Sequence, residues 1–143
     1  MKIITFLSDF GTKDGYTAQM KAVASGITDA RLIDITHEIT PQNIREGAFI
    51  LRSIVSFFPT GTVHVAVVDP GVGTERRGIF ITTSKHILIG PDNSLLMPAA
   101  HFLGNYIVYE ITNTKYMLSS ISTTFHGRDI FTPVAAHITN GVP

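Results

Sequence analysis

The stretch VHVAVVDPGVGTERRG, residues 63–78, runs as a buried strand and then breaks. An acid, Asp69, stands where the apolar run ends. Pro70, Gly71 and Gly73 turn the chain, and Arg76 and Arg77 close the loop before a second apolar run. On its N-terminal side, strand-like runs alternate with segments of helical period. KIITFL and ARLIDIT, at 2–7 and 30–36, read as strands. Between them, residues 14–27 place Tyr16, Met20, Val23 and Ile27 on one helical face, with Asp14 as the expected N-cap. Residues 43–58 repeat the pattern with Ile44, Ala48, Leu51, Val55 and Phe58, and Pro59 stops it. Strand, helix, strand, helix, strand predicts parallel pairing through right-handed crossovers. The expected fold is therefore α/β, a three-layer sandwich with a mostly parallel central sheet and helices on both faces.

The second half is less regular. GIFITTS and HILIG predict a hairpin around Ser84 and Lys85, SLLMPAAHFL a short helix and NYIVYEIT a strand. A last helix is expected over 128–140, with Gly141 as its C′ residue and Pro143 two positions on. Such a stop is what a domain shows ahead of a linker, so more chain is expected after Pro143.

With 143 residues, one domain is expected, burying about 70% of its unfolded surface. Hydrophobic residues make up 44% and charged ones 15%, which excludes a disordered chain. Eleven basic and eleven acidic residues balance, so no basic stripe points to nucleic acid. There is no cysteine, hence no disulfide framework and no thiolate chemistry. Asp9 interrupts the N-terminal apolar run too early for a signal peptide, and no uncharged stretch reads as a membrane span. A cytoplasmic protein is expected.

In an open parallel sheet, functional groups gather beyond the carboxyl ends of the strands. SDFGTKDG, HEITPQN and DPGVGTERR come after the first three strands and bring Asp9, Asp14, Gln42, Asn43, Asp69 and Arg76 to that rim. Taken alone, Asp9 reads equally as an Asx turn before Gly11 or as a ligand-holding carboxylate. Asp69 before Pro70 and Gly71 reads first as a turn residue paired with an arginine. GVGTERRG leads into a strand, so it offers no helix N-terminus to a phosphate. Of six histidines, His37, His64, His86, His101 and His137 read as structural or solvated. His126, in TTFHGRDIF, stands at a loop-to-helix junction. No cluster has metal-ligand spacing, so no metal is expected, and no serine sits in a nucleophile elbow.

SDFGTKDGY, DITHEITPQNIREGA, FFPTGTVHVAVVDPGVGTERR, GPDNSLL and FHGRDIFTPVAAHI occur in this order along the whole chain. In series they resemble the SAM hydrolases (adenosine-forming), or SAM hydroxide adenosyltransferases, whose relatives include fluorinase and chlorinase. The resemblance implies hydrolysis of S-adenosyl-L-methionine, as substrate and with no cofactor, to adenosine and L-methionine. It implies catalytic roles for Asp69, Arg76 and His126, with Asp9 on the ribose hydroxyls and Asp14 facing the methionine end. Gly127 falls where fluorinase has a halide-contacting serine and chlorinase a glycine, and fluorinase lacks the acid matching Asp69; those differences favour hydrolysis over halogenation. Arg76 would favour hydroxide character in the water, Asp69 would orient it, and His126 would act as an acceptor.

Family members are longer, with a β-rich C-terminal domain that completes each site in a homotrimer. Residues 1–143 are expected to be the N-terminal α/β domain alone. Ser94 stands where a glycine is usual. The alternatives to hydrolysis are a non-catalytic isolated domain and halide-dependent adenosyl transfer.

Overall fold

The computed structural model describes residues 2–141. Six strands and four α-helices alternate: β1 (Ile3–Ser8), α1 (Tyr16–Ser25), β2 (Arg31–Thr36), α2 (Ile44–Ile54), β3 (Val63–Val67), β4 (Gly78–Thr82), β5 (Ile87–Pro91), α3 (Met97–Leu103), β6 (Ile107–Glu110) and α4 (Thr132–Thr139). One sheet results, in the order β2-β1-β3-β5-β4-β6. Strands β2, β1, β3 and β5 pair in parallel, and β4 pairs antiparallel with both β5 and β6. The mostly parallel sheet predicted from the sequence is present, with β4 alone running against the rest.

Strand alternation divides the core in two. Ile4, Phe6, Val63, Val65, Val67 and Ile89 face α1 and α4, packing on Met20, Ala24, Val134 and Ala135. Leu7, Ala66, Val68, Ile79, Ile81 and Leu88 face α2 and α3, packing on Ala48, Leu51, Ala99 and Ala100. Every side chain of β3 is buried, as a central strand covered on both faces requires.

Asn43 caps α2, its Oδ1 accepting the Glu46 N–H at 3.0 Å, while Glu46 reaches back to the Thr40 N–H at 3.0 Å. The helix then tightens into a 3-10 turn, Val55–Phe57. Asp14 does not cap α1. Gly15 holds that position at φ 77 with no side-chain hydrogen bond, so the left-handed turn at Gly15 takes the place of an acidic cap.

The last helix starts differently from a plain α-helix. Gly127–Phe131 forms a π turn, in which the Thr132 N–H donates to the Gly127 carbonyl. Pro133 has no N–H to offer the Asp129 carbonyl, and that oxygen accepts the Leu118 N–H instead, at 2.9 Å. At the other end, Gly141 takes φ 88 and donates to Ile138, the expected C′ conformation. Pro143 lies outside the described residues. Among the described residues, no helix is long and apolar enough to cross a membrane.

Candidate active site

From β1 the chain passes through α1 to β2 on one side; from β2 it passes through α2 to β3 on the other. The strand order thus switches between β1 and β3, and the carboxyl ends of strands at such a point are where open α/β sheets bind ligands. Asp9 comes directly after β1, and Asp69 comes after β3 and Val68.

Arg76 joins three groups there. Its Nε donates to Asp69 Oδ1 at 2.9 Å, and its Nη2 donates both to Asp69 Oδ2 and, at 3.0 Å, to His126 Nδ1. The guanidinium carbon also stands 5.4 Å from the centre of the Phe131 ring. Arg76 and Asp69 leave only 13% and 4% of their side chains exposed, so this forked pair is sheltered from water. A guanidinium only donates, so His126 Nδ1 must accept, and a neutral ring then carries its proton on Nε2. Burial first, and the Arg76 charge second, hold the His126 imidazole below its ordinary value against the opposing pull of Asp69. With Nδ1 bonded to Arg76, the neutral His126 ring has Nε2–H as its remaining polar group.

The π turn carries His126 at its head. Gly127 is buried, and a Cβ there would stand 3.1 Å from Met20 Sδ and 3.3 Å from the Phe10 ring, so the turn lies close on α1. The loop before it is tied by Asp129, which sequence reasoning missed. Asp129 is 0% exposed; its Oδ2 accepts the Ser122 N–H at 2.8 Å, and its Oδ1 accepts Arg128 Nε at 2.6 Å. Burial acts to raise its pKa, but Arg128 and Ser122 prevail and hold the carboxyl below the ordinary value. Arg128 continues to Gln19 Oε1 at 2.9 Å and lies over the Phe125 ring. An acid within the apolar pattern of a helix start was the available signal.

Asp9 accepts the Gln42 N–H at 2.7 Å, with Gln42 at φ 63. It thereby ties the end of β1 to the turn before α2. Beside it Ser8, His37 and Asp34 form a chain, Ser8 Oγ to His37 Nδ1 at 2.6 Å and His37 Nε2 to Asp34 at 2.8 Å. Asp14 is exposed, and its side chain makes no hydrogen bond among the described residues. The structure thus joins Asp69 and His126 each to Arg76, with Gly127 directly after His126, and gives Asp14 no bond to them. No group of three or more His, Asp or Glu side chains could hold a metal among the described residues.

Gly73 sits at φ 78, and a Cβ there would meet the Thr123 carbonyl oxygen at 2.3 Å. The Asp69–Arg76 loop is thus pressed backbone to backbone on the loop that precedes His126. Gly73→Ala is expected to destabilise the protein by about 1–3 kcal/mol through the left-handed backbone and the clash. Thermal melting reads the loss, and hydrogen exchange should localise it to the amides of 69–76 and 121–126.

The family described as the SAM hydroxide adenosyltransferase N-terminal domain matches residues 4–143. The "(R)-S-adenosyl-L-methionine hydrolase" of Salinispora arenicola is 46% identical over 142 residues, which cover 98% of this chain and 54% of that protein. The protein of the same description from Methanocaldococcus jannaschii is 45% identical, over 96% of this chain and 53% of its own length. A solved structure from Thermotoga maritima, an uncharacterized conserved protein, superposes with a TM-score of 0.94 at 42% identity, over 98% of this chain and 55% of that one. Fluorinases match at lower identity, 29% for that of an Actinoplanes species. The chain spans about half the length of the relatives it matches. Whole-chain identity, fold and ordered motifs agree: this chain belongs to the SAM hydroxide adenosyltransferase N-terminal domain family.

Proposed function

We propose that this chain carries the water-positioning centre of an S-adenosyl-L-methionine hydrolase. The observation that carries the reading is the Asp69–Arg76–His126 trio, bonded through one guanidinium beyond the sheet's switch point. The relatives described as (R)-S-adenosyl-L-methionine hydrolases support the substrate.

The chemistry asks little of an acid. A sulfonium leaves as a neutral thioether, so the leaving group needs no proton. In-line attack forms a bond from the water oxygen to the ribose C5′ while the C5′–S bond breaks and its electron pair returns to sulfur. The water's extra proton must then go to an acceptor. Arg76 accepts nothing, and the bonded nitrogen of His126 is occupied, so the free lone pairs of Asp69 are the acceptor within the trio. The His126 Nε2–H donates to the water oxygen and fixes its lone pair toward C5′. Such positioning is worth up to about 7–11 kcal/mol when the geometry is right.

Asp9 is assigned to the two ribose hydroxyls, which its Oδ1 could accept while Oδ2 keeps Gln42. Asp14 is assigned to the methionine end on the family's pattern alone. Gly127 leaves room beside His126 where a longer side chain would press on Met20 and Phe10. Contacts to the adenine and to the methionine carboxylate belong to a C-terminal domain beyond this chain. A homotrimer and a cytoplasmic location belong to the same proposal; light scattering on the longer protein reads the first.

The test is incubation with S-adenosyl-L-methionine in ¹⁸O-labelled water, with products followed by chromatography and mass spectrometry. Adenosine and methionine in equal amounts are expected, with the label in the 5′-hydroxyl and no product from Asp69→Asn. Turnover by this chain alone should be slow, because remote contacts position the reacting carbon. A product that appears only with added halide would replace hydrolysis by halide-dependent transfer. No product from the folded chain, with product from a chain of the relatives' length, would make this piece a non-catalytic domain in isolation.

A further inference from the structure

At the opposite end of the sheet from Asp69, β3 and β5 begin beside a cleft of about 400 Å³. Ser56, Phe58, Thr60, Ser84, Lys85 and His86 are among the residues that line it. The second imidazole of a buried relay opens into this cleft. Thr5 Oγ1 lies 2.7 Å from His64 Nδ1, and His64 Nε2 lies 3.1 Å from His86 Nδ1. His64 is 0% exposed and His86 4%. The far nitrogen of His86, Nε2, has no hydrogen-bond partner among the described residues, although its ring lines the cleft.

The direction of the relay is set by satisfying every buried donor. Thr5 is wholly buried, and its hydroxyl has one partner, His64 Nδ1. If His64 donated to Thr5, the Thr5 hydroxyl proton would be left without an acceptor, at a cost of about 1–3 kcal/mol. The hydroxyl therefore donates to His64 Nδ1, His64 Nε2–H donates to His86 Nδ1, and His86 Nε2 carries the proton that faces the cleft. Burial pushes His64 down to about 3, and burial with the Lys85 charge lowers His86, so both rings are neutral at pH 7 and the order of donors holds. Thr83 fixes the backbone that carries the second ring: its Oγ1 accepts the His86 N–H and donates to the His86 carbonyl, each at 2.9 Å.

We infer that this cleft is a second binding site, separate from the hydrolase centre, that takes the oxyanion group of a small molecule. The relay supplies a fixed N–H donor, Lys85 supplies the charge, and the hydroxyls of Ser56, Thr60 and Ser84 supply further donors that line the same space. Phe58, Phe102 and Leu103 form its apolar wall, against which the body of such a ligand would rest. The inference does not depend on the assigned reaction, since no residue of the trio takes part.

Imidazole ¹⁵N spectra of the unliganded protein test the relay. His86 Nε2 should read as protonated and Nδ1 as unprotonated; the reverse tautomer overturns the proposal. Titration with inorganic phosphate, and in parallel with acetate, tests the site and separates phosphoryl from carboxylate ligands. Saturable shifts of the His86 ring and the Lys85 amide are expected, with a Kd of about 1 mM for the better anion. Lys85→Gln, a change at an exposed position, should weaken binding by about tenfold or more. No saturation with either anion, shifts reproduced by sodium chloride at equal ionic strength, or unchanged binding in Lys85→Gln would each overturn it.

Discussion

On the proposed reaction, Arg76→Lys will lower kcat/KM for S-adenosyl-L-methionine hydrolysis by about 10³-fold, although it keeps the positive charge. Arg76 makes three hydrogen bonds through two nitrogens, to both oxygens of Asp69 and to Nδ1 of His126. An ammonium is a single point of charge on a flexible stem and has no planar fork to span these partners. It also loses the contact over the Phe131 ring that holds the guanidinium plane. In the lysine variant the His126 tautomer is no longer set by a permanent donor, so the Nε2–H that the proposed reaction uses is lost from part of the population. Arg76→Met should go further and destabilise the fold by about 3–5 kcal/mol, because it leaves an enclosed carboxylate without its partner. Steady-state rates with circular dichroism as a folding control separate the two effects. Activity of Arg76→Lys within tenfold of wild type would show that the trio does not organise the attacking water.

Acid will lower the stability of this protein through a histidine at the far end of the sheet. His64 has an ordinary value of 6.5 and is pushed to about 3 by burial first and by His86 second. Between these values the unfolded chain binds a proton that the native chain refuses. Stability is therefore whole above pH 6.5 and falls as the pH drops toward 3. The full loss is about 5 kcal/mol, comparable to the whole stability of many domains. His86 and His126 are lowered as well and act in the same direction. Asp34 and Asp129, also lowered, add their loss only at pH values below the ordinary carboxylate range. Urea melts at about pH 7, 5.5 and 4.5, which sample the upper part of the titration window and stay above the carboxylate range, measure the onset of this loss. His64→Gln should start less stable at neutral pH but lose less on acidification, and equal losses in both proteins would assign the acid sensitivity elsewhere.

The parts of this molecule that obey local rules were legible in the sequence. The apolar run of β3 and the helical period of α2 needed no third dimension, and Asp69 could be paired with Arg76 because both lie on one short loop. Asp14 misled because an acid before a helix is a good cap only where the backbone enters in an extended form, and Gly15 turns the other way. His126 reached the pair only through the family's pattern, since nothing in TTFHGRDIF says that the turn folds back onto Arg76. Asp129 was hidden for a related reason: next to Arg128 it looks like a surface ion pair, and only the loop at Ser122 buries it. His64 and His86 became a pair because β5, not β4, lies against β3, a choice that strand composition does not reveal.

The π turn at the head of the last helix has a consequence for how the gene can change. Such a turn holds one residue more than an α-helical turn would, so it stores a phase offset between the loop on its N-terminal side and the helix on its C-terminal side. A single-codon deletion there would restore ordinary winding and rotate the upstream chain by about 100° around the axis. Helix α4 cannot share that rotation, because residues 132–136 are all buried. The whole angle would fall on His126 and carry it away from Arg76. This turn works like a vernier, where a shift of one residue parts His126 from Arg76 with an intact core behind it.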